Sequence, residues 1–454
     1  MTPKKLAIVT YGCQMNKYDS ERIAGLLQQA GYTLTADVRQ AHLVLLNTCS
    51  VREKADQKFY SELGRLKRLK TRRPELLIGV CGCIPQRARD EILQRAPYVD
   101  LVFGTLNLSR VVELVRQVEE TREPVLEITD EVLDDDLGVL PVARDSRVTA
   151  FVSVMQGCNK HCSFCVVPAT RGPQVSRPLP VVLEEVRRLA EAGYREVTLL
   201  GQNVNAYGKD LRPRRVDFAD LLAAVNAVDG IARIRFVTSH PLDFTPRLIA
   251  AMAELDKVCE YLHLPFQAGS NRILKLMRRG YTAEAYRELI AQIREAVPDI
   301  ALSTDVIVGF PGETEEDFLE TRRMLELVRF DSIFLFKYSP RPGTLAPQLP
   351  NPVPEAVKQR RFEGLLNMQK RIALAANLPY EGRTVEVLVE GPSKKDPAKL
   401  TGRTRTNKIV NFAGDARLIG ELVPVRITRA GLYALEGELA SASATLPLVE
   451  VAAS

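Results

Sequence analysis

The sequence predicts an α/β protein in three parts: an N-terminal parallel α/β domain, a central full or partial α/β barrel, and a small C-terminal β-barrel. Three observations predict it. Short apolar runs alternate with helical periodicity between residues 6 and 118, and such alternation builds a parallel sheet with helices on both faces. The same rhythm resumes from Ala150 to about Leu374, in units the size of those in α/β barrels. From Tyr380 onward the runs are short, β-rich and punctuated by Gly382, Gly391, Gly402, Gly414 and Gly431, the pattern of a small closed barrel.

Leu6–Tyr11 is the first expected strand, and a helix over Asp19–Ala30 stops at Gly31. Strands are expected at His42–Leu46, Leu76–Val80 and Tyr98–Phe103, with a basic helix over Val51–Lys70 and another helix over Leu108–Val118. Thr121–Arg147 breaks the rhythm with Glu131, Asp134, Asp135, Asp136, Gly138 and Pro141, and reads as a linker. The barrel strands are expected at Phe151–Met155, Glu196–Leu200, Ile234–Thr238, Tyr261–Leu264, Ala301–Val308 and Ser332–Phe336, with helices such as Pro180–Ala192 and Ser270–Met277 between them. Thr314 to Asp317 reads as a helix N-cap with an acidic first turn. The C-terminal runs are Thr384–Val389, Lys408–Phe412, Leu422–Thr428 and Tyr433–Glu436. The expected domains are therefore 1–120, 148–378 and 379–446, joined by the linker 121–147.

Bulk properties narrow the chemistry. No run approaches 18 apolar residues, and polar Gln14 and Asn16 come too soon after the first apolar run for a signal peptide, so no membrane partner and a cytoplasmic location are expected. Thiols stay reduced there, so the eight cysteines point to metal or catalysis rather than disulfides. With only four histidines (His42, His161, His240 and His263), all-thiolate ligation is the natural option, for iron–sulfur clusters or zinc.

Cys158, Cys162 and Cys165 fall within eight residues and can converge on one metal group from a single loop. Zinc ordinarily takes four ligands from paired knuckles, and only His161 lies nearby as a fourth. Three thiolates on a cubane leave one iron open to a substrate. The run Gly157-Cys158-x-x-x-Cys162-x-Phe164-Cys165 resembles the signature of the radical S-adenosylmethionine superfamily. That resemblance implies a 4Fe–4S cluster whose open iron chelates S-adenosylmethionine, reductive cleavage to a 5′-deoxyadenosyl radical, and Phe164 near the adenine. Gln202, Asn203, Ser239 and Asp305 sit at or near expected strand ends, where barrel active sites are built. They are further candidates for S-adenosylmethionine contact, with loop capping as the alternative.

Cys13, Cys49 and Cys83 each come just after an expected strand. The carboxyl ends of strands in such a sheet open on one crevice, so the three thiols would meet there. Buried packing is the simpler account of any one of them, but not of three in equivalent places. Cys81 is expected to stay in its strand, with the turn at Gly82 carrying only Cys83 to the crevice, and Cys259 reads as core.

These three contexts resemble the N-terminal domain of the methylthiotransferase family, a branch of the radical enzymes, and the match runs through nearly the whole chain. It includes Gly201 to Tyr207, Thr238 to Pro241, His263 to Ser270, Ser303 to Thr314 and Phe336 to Arg341. The form Gln202-Asn203-Val204-Asn205 looks like the tRNA-2-methylthio-N(6)-dimethylallyladenosine synthase branch. Phe266 and Ala268 stand where Val and Ser are expected, and Ala169 where Tyr is. The resemblance implies two 4Fe–4S clusters, the second on Cys13, Cys49 and Cys83. It also implies methylthiolation at carbon 2 of an isopentenylated adenosine at anticodon-loop position 37 of tRNA. One S-adenosylmethionine would supply the methyl and a second the radical. An electron donor such as flavodoxin or ferredoxin and a monomeric state are expected with it. The rivals are the same chemistry on threonylcarbamoyladenosine or a ribosomal-protein aspartate, and a non-catalytic iron–sulfur sensor of RNA.

The C-terminal segment carries Lys394, Lys395, Lys399, Arg403, Arg405, Lys408, Arg417, Arg426 and Arg429. Basic residues on a small barrel can track a phosphate backbone. Gly402-Arg403-Thr404 to Asn407-Lys408 resembles the TRAM domain, an RNA-binding barrel. Arg403, Arg405 and Lys408 are the expected RNA contacts, and the chain's modest net charge of +6 permits that partner.

Overall fold

The computed structural model describes residues 3–50, 53–132, 137–213 and 216–440. Val51 and Arg52 of the expected basic helix, Asp134, Asp135 and Asp136 of the expected linker, and residues 441–446 of the expected third domain lie outside the described residues.

The N-terminal sheet has six parallel strands, in the order Tyr32–Leu34, Lys4–Thr10, Leu43–Thr48, Leu77–Gly82, Leu101–Phe103 and Val125–Glu127. Leu43–Thr48 and Leu77–Gly82 are buried at every position, as strands covered on both faces must be. Helices Gln14–Gln29 and Val111–Thr121 cover one face through Ile23, Leu27, Leu114 and Val118. Helix Glu53–Arg72 covers the other through Phe59, Leu63 and Leu66. Strand order reverses between Lys4–Thr10 and Leu43–Thr48, which opens a crevice at their carboxyl ends.

Two short strands, Tyr32–Leu34 and Val125–Glu127, are additional to the sequence reading. The second lies in the segment expected to be a linker. Three residues carry too little periodicity to announce a strand; pairing with Leu101–Phe103 makes it one. Near Pro141 the chain forms a strap across the helix Gln14–Gln29. A Cβ on Gly25 would come within 2.4 Å of the Pro141 carbonyl, and Ala143 donates to the Glu21 carbonyl at 2.8 Å. Arg144, Arg177 and Tyr18 all converge on the buried Glu185. This joins strap, N-terminal helix and central domain.

The central domain holds two parallel triplets of strands, Thr149–Ser153, Glu196–Leu200 and Arg233–Phe236, then Tyr261–His263, Ala301–Val308 and Ser332–Lys337, and a separate antiparallel pair, Met155–Gln156 with Val175–Ser176. A bridge between Ile234 and Val258 links the triplets, so the barrel is partial. The expected N-cap is present: Thr314 and Asp317 cap each other's backbone ahead of helix Glu315–Val328. Among the described residues no helix is long and apolar enough to cross a membrane.

The C-terminal part is a closed barrel of Thr384–Pro392, Lys399–Arg403, Ile409–Ala413, Leu422–Ala430 and Leu435–Leu439. Strand Lys399–Arg403 has no signal in the sequence because its residues are mostly polar or Gly. The barrel is seated on the central domain by two arginines. Arg233, fully buried, donates to the Arg403 carbonyl at 2.6 Å and to Glu386 at 2.8 Å. Arg235 donates to the carbonyls of Thr404 and Arg405 at 2.7 and 2.8 Å. Arg233→Ala strands these acceptors and is expected to cost about 2–3 kcal/mol. A lowered thermal midpoint in a calorimetric scan checks it; an unchanged midpoint would show that this contact does not hold the barrel.

Candidate active site

The central triad lies on the loop after the strand Met155–Gln156. Cys158 N–H donates to the Gly172 carbonyl at 3.2 Å and Cys165 N–H to the Cys162 carbonyl at 3.1 Å. The Gly157 N–H is held by Gln202 Oε1 at 2.5 Å. Ser163 pins the loop to the next helix end, donating from Oγ to the Leu276 carbonyl at 2.8 Å. Arg279, buried, donates from Nη1 to Cys162 Sγ at 3.3 Å, from Nη2 to the Pro265 carbonyl at 2.9 Å, and from Nε to Tyr281 at 3.1 Å. Burial raises two thiols of the loop, pushing Cys165 up to about 12 and Cys158 above its ordinary value. A metal group would overcome that cost by binding the thiolate itself.

Around this loop Gln156 Nε2, Asn203 Oδ1, Ser239 Oγ and His240 Nε2 are buried without a hydrogen-bond partner. Native interiors leave few polar atoms unpaired, so a polar ligand fits here. Asn203 donates its Nδ2 to Asp243 at 2.7 Å, and Asp243 also pairs with Lys160 of the cysteine loop at 3.0 Å. Burial, then Arg279 and Lys160, hold the His240 imidazole down at about 3, so it is neutral. Phe164 meets Phe310 edge-on at 6.5 Å, and Phe310 meets Tyr338 at 5.2 Å, an aromatic wall beside the thiols.

The candidate contacts therefore divide. Gln202 braces the cysteine loop; Asn203 and Ser239 offer free atoms. Asp305 stands in another group, 3.5 Å from His263 Nε2, whose Nδ1 meets Ser303 Oγ at 2.9 Å. Phe266 is fully buried and stacks on Phe330 at 5.6 Å, and Ala268 is buried. Those two departures from the family pattern are core packing.

The N-terminal triad stands on three adjacent strand ends. Cys13 is the N-cap of helix Gln14–Gln29, Cys49 comes directly after Leu43–Thr48, and Cys83 opens helix Cys83–Ala88. The backbone at Gly12 and Gly82 has φ of 139° and 94°, open to glycine. A Cβ on Gly12 would strike Cys49 Cβ at 2.6 Å, and one on Gly82 would strike Asn47 Oδ1 at 2.4 Å, so the loops pack too closely for any side chain there. Asn16 and Asn47 lock them: Asn16 donates to Asn47 Oδ1 at 3.1 Å and to the Thr48 carbonyl at 3.0 Å, and Asn47 returns a bond to the Asn16 carbonyl at 2.8 Å. Cys81 stays in its strand, fully buried in the apolar core with Leu45 and Phe103.

Hydrogen bonding from Cys49, reinforced by Arg171 and the first-turn N–H groups of Met15 and Asn16, lowers Cys13 to about 6 despite partial desolvation. Burial raises Cys83. In the metal-free protein Cys13, which is exposed, is expected to alkylate first near neutral pH. Its rate should fall as pH drops through about 6, because the thiolate is the nucleophile. Peptide mapping after brief iodoacetamide treatment checks this; first labelling at Cys165 would contradict it.

The segments that carry the two triads pack against each other. Helix Val167–Arg171, just past Cys165, packs against the helix that Cys83 opens. Its last residue, Arg171, pairs with Asp19 at 2.6 Å. Sequence reading missed Arg171 and Arg279. An arginine beside glycine looks exposed, and no spacing rule marks a buried charge paired across more than a hundred residues. Among the described residues no three His, Cys, Asp or Glu are gathered as a single metal ion requires. A cubane, whose irons occupy separate corners, accepts a wider set.

The three expected RNA contacts are half-buried, and each is ion-paired. Arg405 pairs with Glu260 of the central domain at 2.7 Å, Lys408 with Asp331 at 2.5 Å, and Arg403 with Glu390 at 3.1 Å. These charges are spent on the barrel's seat and on the barrel itself, because that edge faces an acidic rim of the core. Lys394 and Lys395, on the turn before Lys399–Arg403, are exposed.

Comparison with known proteins agrees with the three-part architecture. Residues 5–104 match the family described as uncharacterized protein family UPF0004, residues 152–325 the radical SAM superfamily, and residues 379–440 the TRAM domain. A tRNA-2-methylthio-N(6)-dimethylallyladenosine synthase of Moorella thermoacetica is 50% identical, covering 96% of this chain and 98% of its own. One of Carboxydothermus hydrogenoformans is 49% identical, covering 97% and 100%. Among solved structures, the radical S-adenosylmethionine methyltransferase TsrM of Kitasatospora setae is similar in fold, with a TM-score of 0.55 at 15% identity, over 74% of this chain and 75% of its own.

Proposed function

Because the chain belongs to the tRNA-2-methylthio-N(6)-dimethylallyladenosine synthase family, we propose that it methylthiolates carbon 2 of N6-isopentenyladenosine at position 37 of tRNA, using a 4Fe–4S cluster on Cys158, Cys162 and Cys165 and a second on Cys13, Cys49 and Cys83. The observation that supports the two-cluster reading is the packing of helix Val167–Arg171, just past Cys165, against the helix that Cys83 opens. It is a radical S-adenosylmethionine enzyme. When bound, the core cluster with S-adenosylmethionine supplies a radical able to take an unactivated hydrogen, and the N-terminal cluster supplies sulfur.

The chain's own residues do the rest. Gln202 holds Gly157 and with it the cysteine loop. Arg279 donates to Cys162 Sγ and ties that thiol to the Pro265 carbonyl and Tyr281. Asn203, Ser239 and neutral His240 offer hydrogen-bonding atoms to the amino acid or ribose of the cofactor, and Phe164 with Phe310 offers an apolar wall to its adenine.

The test is anaerobic reconstitution, then incubation with tRNA carrying isopentenyladenosine. About eight irons per chain and a nucleoside heavier by one methylthio group less one hydrogen are expected. Product only on threonylcarbamoyladenosine or on a ribosomal-protein aspartate would reassign the substrate. The electron source in this reading is a flavodoxin- or ferredoxin-type protein, and the working unit is a cytoplasmic monomer.

RNA grip falls to the exposed lysines of the barrel rather than to its seat. Replacing Lys394 and Lys395 with Glu is expected to weaken tRNA binding and to reduce the slope of log affinity against log salt by about 1 per lysine. Arg405→Ala should instead lower stability and leave that slope alone. An unchanged slope in the lysine variant, measured by filter binding across a salt series, would remove this turn from the RNA surface.

A further inference from the structure

One buried charge beside the N-terminal thiols has no task in the chemistry above. Arg171 is 3% exposed and comes from the central domain, at the end of helix Val167–Arg171. Its Nη2 donates to the equally buried Asp19 at 2.6 Å. Its Nη1 has no hydrogen-bond partner. The guanidinium stands beside Cys83, whose helix packs against its own, and in the field of Cys13.

A guanidinium stripped of water needs its donors filled, and Asp19 fills one arm only. Asp19 also neutralises the pair, so the side chain is not there simply to cancel a carboxylate. A planar fork with one occupied and one free arm, set beside two thiols, matches a small anion bound next to them. A cluster held by three thiolates has one iron open to an exogenous ligand. The anion that chemistry calls for is a one-headed sulfur species.

We propose that Arg171 is the anion-holding residue of the N-terminal site, its Nη1 taking the hydrosulfide or methanethiolate carried at the open iron. The proposal rests on the reading of Cys13, Cys49 and Cys83 as ligands of one cluster. Because the core lends this residue, the sulfur site is complete only when the two domains are docked. Arg171 also lies six residues past Cys165, so one short segment spans the radical site and the sulfur site and fixes their separation.

The experiment uses the full chain with Cys158, Cys162 and Cys165 replaced by Ala, so that only the N-terminal cluster remains. Iron is counted after anaerobic reconstitution. The cluster's reduction potential is then read by electron paramagnetic resonance, and sodium sulfide or sodium methanethiolate is titrated in separate arms. R171Q is expected to keep its iron, to shift the potential to more negative values and to bind methanethiolate about tenfold or more weakly. R171K should restore the potential and bind the anion with intermediate affinity, since it keeps the charge and loses the fork. A weakened sulfide arm with methanethiolate unchanged would assign the site to hydrosulfide, and the reverse to methanethiolate. Iron present in both proteins, with the same potential and anion affinity, overturns the proposal alone. If R171Q holds no iron, R171K decides: weaker anion binding supports the proposal and unchanged binding overturns it. A parent protein without iron overturns the ligand reading and the proposal together.

Discussion

Cys83→Ala is expected to lose the N-terminal cluster and all methylthiolation while still producing 5′-deoxyadenosine, and Cys81→Ala to keep both clusters and the full reaction. The two thiols differ in what surrounds them. Cys81 lies near the end of a buried strand, its carbonyl taken by Thr48 Oγ1 at 2.7 Å and its side chain among Leu45 and Phe103. Burial raises it well above the usual thiol range, with Asp19 adding to the effect. Removing its sulfur leaves a small gap worth about 1 kcal/mol. Cys83 lies past the turn at Gly82, at the first position of a helix, beside Arg171 and in the field of Cys13. Its loss leaves two ligands where three are needed, so about four irons should go. The central triad sits on its own loop and should continue to cleave S-adenosylmethionine. Iron counts and product masses on the two variants decide the matter. Iron lost from Cys81→Ala and kept in Cys83→Ala would mean the third ligand is misplaced, and iron kept in both would mean there is no second cluster.

Cys162→Ala is expected to abolish 5′-deoxyadenosine formation, with the N-terminal iron retained. Cys162 is the most buried of its triad, at 9% exposure, and the one that accepts from Arg279 at 3.3 Å. Alanine removes a ligand and leaves Arg279 with one donor unfilled, so the loop loses both its metal and part of its electrostatic brace. Conservative rescue by Ser is not expected, because a hydroxyl does not ionise near neutral pH. Retained cleavage in the Ala variant, measured by mass spectrometry of the nucleoside under strong reductant, would sink the assignment of this triad.

Legibility differed by kind of information. Most strands of the central triplets could be read as apolar runs bounded by turns, and the three-residue Tyr261–His263 because Leu264 extends its pattern. The positions of Cys13, Cys49 and Cys83 came from the N-terminal strands that precede them, since a parallel sheet sends every strand's carboxyl end to one side. Tyr32–Leu34 and Val125–Glu127 could not be read, being three residues each; their pairing partners define them.

What the sequence determined by itself was thus the order of elements, the strand ends that carry thiols and the loop that gathers Cys158, Cys162 and Cys165. These are local properties, set by periodicity and spacing along the chain. What only the tertiary structure decided was where the charges went. Arg171 turned inward to Asp19 and Arg279 to Cys162, while Arg405 and Lys408 turned from solvent to Glu260 and Asp331. A charge is solvated or buried according to what folds against it, and those partners lie 77 to 152 positions away, beyond the reach of any pattern in the neighbouring residues.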